Sequence, residues 1–77
     1  MNKARRNRLD EAVSMIQEAL TVVEEVHSEK EEAYENMPEG LQESARGEQM
    51  SEYIDTLDEA INNLDDVIGN LQEIVEG

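Results

Sequence analysis

The sequence predicts an all-α protein, an antiparallel two-helix hairpin that dimerises into a four-helix bundle. Three observations carry this expectation. Two stretches keep a seven-residue apolar register, one Pro- and Gly-containing segment divides them, and the apolar residues are Leu, Ile, Val, Ala and Met with two Tyr and no Phe or Trp. That palette fills seams between helices. With 77 residues and no cysteine, the chain has no disulfide or thiolate metal site to staple it. Helix packing and oligomerisation must hold it instead.

Residues 1–77 read as one helical-hairpin domain. Residues 1–8 form a basic arm holding Lys3, Arg5, Arg6 and Arg8, four of the six basic residues. The first helix is expected over 9–36. With positions lettered a to g, its a and d sites are Leu9, Val13, Ile16, Leu20, Val23, His27, Lys30, Tyr34 and Met37. Residues 37–47 form the loop: Pro38 lacks an N–H and forces Met37 out of the helical region, Gly40 permits a turn, and Ser44 suits a helix N-cap. Leu41 is expected to plug the loop end. The second helix is expected over 48–75, with Met50, Ile54, Leu57, Ile61, Leu64, Ile68, Leu71 and Val75 at a and d, all apolar. Helices of these lengths run ~42 Å each and, joined by one short loop, should pair antiparallel.

The apolar stripe is wider than one pairing needs. Ala12, Ala19, Val26 and Ala33 fill the g positions of the first helix, and Tyr53, Ala60, Val67 and Ile74 those of the second. Met15 and Val22, at c, extend the arc of the first helix. A three-position face suits a bundle of more than two helices, and a lone hairpin would expose more than the ~400 Å² of apolar patch usual on a monomer. The expected association face comprises Met15, Leu20, Val22, Val23, Leu57, Ile61, Leu64 and Ile68, and the expected partner is a second copy or another protein.

Charge runs the other way. The net charge is −14, and outside the basic arm 20 acids face only Lys30 and Arg46. Every f position is acidic: Glu11, Glu18, Glu25, Glu32, Glu52, Glu59, Asp66 and Glu73. Such a surface repels phosphate, so no direct contact with nucleic acid is expected. Regular carboxylates do resemble the charge spacing of a nucleic-acid backbone, and they could occupy a basic groove on a protein that handles DNA or RNA. Simple solvation is the alternative reading. The arm itself is read as lying beside Glu73, Glu76 and the negative end of the second helix. No apolar run reaches the ~20 residues of a membrane span and no signal-peptide core is visible, so a soluble, cytoplasmic protein is expected.

No catalytic chemistry is expected. Ser14, Ser28, Ser44 and Ser51 lack a positioned base, and Gly40 and Gly47 read as loop punctuation, with no phosphate-binding motif. Glu24 and His27 have the Glu-x-x-His spacing of di-iron bundles, but the second helix brings no acid to a or d; no metal or cofactor is expected. His27 and Lys30 interrupt the seam of the first helix. With Tyr34, Tyr53 and Arg46 they could form a polar pocket for a small anion, or act only to fix the pairing register.

The segment Asn36-Met37-Pro38-Glu39-Gly40-Leu41-Gln42-Glu43-Ser44, then Arg46-Gly47-Glu48 and an acidic helix, resembles small helical proteins of phages and prophages of Gram-positive bacteria, over roughly residues 30–75. The resemblance carries over no functional residue. It implies a setting in which small acidic phage proteins bind and disable host machinery, including CRISPR and other defence complexes, or serve as virion accessories. The expected function is therefore a phage-type interaction module that inhibits a host protein in the bacterial cytoplasm through its acidic faces. A structural dimerisation adaptor and a binder of a small anionic ligand are the alternatives.

Overall fold

The computed structural model describes all 77 residues. Three helices follow in order: α1 Lys3–Glu35, α2 Glu39–Gln42 and α3 Ala45–Glu76. Helices α1 and α3 pack along their lengths, giving a rod 58 × 15 × 13 Å. Every a and d residue named above is buried or half-buried, and the g positions form a more exposed rim. Val13, Leu20 and Ile68 form the centre, with Ile16, Ile61, Leu64 and Leu71 packed around them. The heptad seam thus became the core, because 3-4 spacing keeps one stripe of each helix facing the other.

The basic segment differs from expectation: it is not an arm preceding the first helix but its first turns. Asn2 is the reason, since its side chain accepts a hydrogen bond from the Arg5 N–H at 2.9 Å and caps the helix end. No acidic residue lies in this first turn, so the macrodipole opposes the cations and the cap must offset that cost. None of Lys3, Arg5, Arg6 or Arg8 makes an ion pair with Glu73 or Glu76; the ion pairs of the chain are those of His27. Arg6 continues the a line and is half-buried, its Nε enclosed without a hydrogen-bond partner.

The loop is more ordered than expected. After Asn36 closes α1, Pro38 begins the single turn α2. The Gln42 side chain donates to the Tyr34 carbonyl at 2.8 Å, tying this turn back to the end of α1. Ser44 caps α3 as expected, accepting from the Gly47 N–H while its hydroxyl donates to the Leu41 carbonyl. Leu41 is half exposed rather than a plug. Gly40 needs no special backbone freedom, because no glycine here has positive φ.

Gly47 has a different role from the one its loop-like context suggested. It is buried inside the first turn of α3, and a Cβ there would overlap the carbonyl oxygens of Leu41 and Gln42. The absence of a side chain lets the loop cross α3 at this point. Gly47→Ala should therefore destabilise the hairpin by about 1–3 kcal/mol. Gly69→Ala, in open space within the same helix, should stabilise it by up to ~1 kcal/mol. Thermal unfolding of the two variants side by side reads both signs, and equal stabilisation would mean that the crossing does not constrain Gly47.

Candidate functional site

An antiparallel pair places the e positions of both helices along one edge and the g positions along the other. Two contacts identify these edges. His27, at a, has its Nε2 2.8 Å from Oδ1 of Asp58, an e residue, and 3.9 Å from Glu31, also e. Lys30, at d, has its Nζ 5.8 Å from the ring centre of Tyr53, a g residue on the opposite edge. The hairpin consequently has two unlike sides.

The e edge carries Asp10, Glu24, Glu31, Asp58 and Asp65, and on each helix the b line, with Ser14, Thr21 and Ser28 on α1 and Asp55 and Asn62 on α3, separates it from the f ridge. All eight acidic f residues are exposed: Glu11, Glu18, Glu25 and Glu32 on α1, and Glu52, Glu59, Asp66 and Glu73 on α3. Because f points away from the seam, the two ridges lie on opposite flanks and join only around the e edge. Together they make one acidic arc.

The g edge is apolar. Val26, Tyr53, Val67 and Ile74 are exposed along it, and Met15 and Val22 beside it are 66% and 57% exposed. Of the predicted association residues these two lie open, whereas Leu20 and Ile68 are buried, and Val23, Leu57, Ile61 and Leu64 are half-buried within the seam. The predicted face therefore divides into an internal seam and an unpartnered side. Arg5, Arg8, Lys30 and Arg46 also fall at g, c or d positions, while Glu29 is the one carboxylate at any such position of α1 or α3. Arg8, expected as part of a basic arm, thus belongs to the c line of α1, and Glu29, not expected at a site, ends that line.

The polar layer does not come together as one pocket. His27 turns to the acidic edge, with its side chain 13% exposed. Lys30, Arg46 and Tyr53 border an open depression of about 110 Å³ on the apolar side with Gln49 and Met50. Tyr34 contributes its backbone carbonyl to Gln42 instead. The nearness of His27 and Asp58 is electrostatic rather than an aligned hydrogen bond, since Nε2 has no partner in hydrogen-bond geometry, and it is an ion pair only when the ring is protonated. Asp58 follows Leu57 at e, which is why it reaches the seam's margin. Such a partly enclosed polar group is expected to cost stability: His27→Leu should raise stability by about 1–2 kcal/mol, read as a higher midpoint of thermal unfolding. A lower midpoint would make the His27–Asp58 pair a net stabiliser.

No group of three or more His, Asp or Glu side chains is placed to hold a metal ion, and no helix is long and apolar enough to cross a membrane. Fold and surface together define a class: an amphipathic helical hairpin with one acidic and one apolar side. No family model, curated protein or solved structure matches the chain.

Proposed function

We propose that the chain is a protein-interaction module that engages a basic surface of another protein through its acidic arc, its apolar side being covered by association. The observation that carries this reading is the segregation of the carboxylates from the exposed apolar residues, with Glu29 the one acid on the apolar side of α1 and α3. Solvation alone does not require carboxylates at eight f positions together with a g edge free of them. A basic groove that normally holds DNA or RNA is the complementary surface, because a long surface dense in exposed carboxylates is attracted to the same cations as a phosphate backbone. Occupying such a groove would inhibit its owner. A host defence or nucleic-acid-handling complex in the bacterial cytoplasm is the target this reading proposes. The chain's own role in this reading is occupancy, not catalysis.

The test is capture from a bacterial lysate on the immobilised chain. The captured protein should be released by salt, displaced by duplex DNA or RNA, and lost when Glu18, Glu25, Glu59 and Asp66 are changed to Gln, Gln, Gln and Asn. Retention by that variant, with loss on Met15→Asp, would instead assign binding to the apolar side and make the chain a structural adaptor.

A further inference from the structure

The c line of α1 reads Arg8, Met15, Val22, Glu29: cation, apolar, apolar, carboxylate. These residues are one heptad apart, so they form a single row with steps of about 10.5 Å. Turned end for end, the row is complementary to itself. Arg8 then meets Glu29 at both ends, and Met15 meets Val22 twice in the middle. An interface with a two-fold axis needs this property, since residue i contacts j while j contacts i.

We propose that a second copy of this chain covers the apolar side, with the two hairpins antiparallel and their loops at opposite ends. This inference rests on the reading of that side as the association side. The charge row selects the register. With Arg8 on Glu29 of the second copy, the layers between the two α1 helices pair Ile16 with Ala19 and Val23 with Ala12, a larger residue at d facing a small one at g. The same two-fold axis brings Leu64 of α3 against Val67 of the other α3. Glu29 sits among its own Lys30 and the Arg5 and Arg8 of the second copy, so the side's single carboxylate lies where the opposing cations gather. The opposite arrangement, with loops at the same end, packs α1 against α3. The c line of α3 is Gln49, Thr56, Asn63 and Asn70, which leaves Arg8 and Glu29 unpaired and sets Met15 and Val22 against polar side chains.

Size and charge are compatible with this occupant. A side 58 Å long and 15 Å wide presents on the order of the ~800 Å² per partner of a standard interface. The acidic arcs of both copies stay on the outside, where repulsion between the chains is screened by salt.

The experiment is sedimentation equilibrium of the full chain, without any other protein, together with a distance measurement between loops. The wild type should form a reversible dimer. Arg8→Glu and Glu29→Arg should each weaken it about tenfold, because each converts two attractions per dimer into repulsions. The double variant should recover to within about threefold of the wild type. Spin labels on Gly40→Cys, an open position, should lie about one rod length apart. Helical circular dichroism confirms that each variant, altered only at exposed sites, remains folded. A folded chain that stays monomeric, single variants without effect, a double variant that fails to recover, or loops close together would each overturn the proposal. These results are independent of the lysate capture, so the acidic-arc reading can fail while the dimer stands, and the reverse.

Discussion

Leu20→Asp should leave the chain unfolded at 25 °C. Leu20 is 8% exposed in the central cluster with Val13 and Ile68, so the change removes ~2–3 kcal/mol of burial. It also places a carboxylate where no cation is available, at a further cost of several kcal/mol. A chain of this size is expected to have a total stability of only about 4–12 kcal/mol. With no disulfide and a single core cluster, nothing elsewhere compensates. Far-UV circular dichroism checks this: the helical signal should collapse for Leu20→Asp and persist for Glu18→Ala on the exposed ridge. A helical, cooperatively melting Leu20→Asp would show that the seam does not hold the hairpin together.

Added salt should stabilise the hairpin. The f carboxylates repeat about 10.5 Å apart along each helix, well inside the ~30 Å screening length at 0.01 M salt and beyond the ~8 Å length at 0.15 M. The only acid–base contacts are those of His27, so salt has few attractions to weaken and many repulsions to relieve at a net charge of −14. Between these salt concentrations the gain should be about 1–2 kcal/mol, or roughly 5–15 °C in the unfolding midpoint. Replacing Glu18, Glu25, Glu59 and Asp66 with their amides should raise the low-salt midpoint and flatten the dependence. A midpoint that falls with salt would mean that the cations of Lys3–Arg8 stabilise the fold against the carboxylates near the end of α3, contrary to the absence of ion pairs there.

The two sides of the hairpin differ in how they meet water. Carboxylates at e and f keep one arc hydrated while g and c are left free to pack. In the proposed dimer two strongly acidic chains would approach through the side that carries the fewest carboxylates. Glu29 is the exception on that side, three heptads from Arg8 along the same row.

Much of this was legible in the residues. The 3-4 apolar spacing, Pro38 and the Ser44 cap are local signals, and they determined two long helices, their antiparallel pairing and the core residues. The acidity of every f position likewise marked the outward ridges, because helical periodicity alone decides which residues face away from a seam. Other features depended on where distant segments meet. Asn2 extended α1 through the cationic segment, overriding the dipole's opposition to those charges. Gly47 reads locally as loop punctuation, yet it is required by the carbonyls of Leu41 and Gln42 crossing above it. His27 and Lys30 are three residues apart and look like one polar layer. Only the packed hairpin sends them to opposite edges, since a leans toward e and d toward g once a second helix lies against them. The sequence by itself thus determined the helices and their seam, through interactions repeating within a few residues. Tertiary structure decided which polar groups meet, and that the large exposed apolar residues of α1 and α3 share one side, because an edge exists only after two helices have been placed in register.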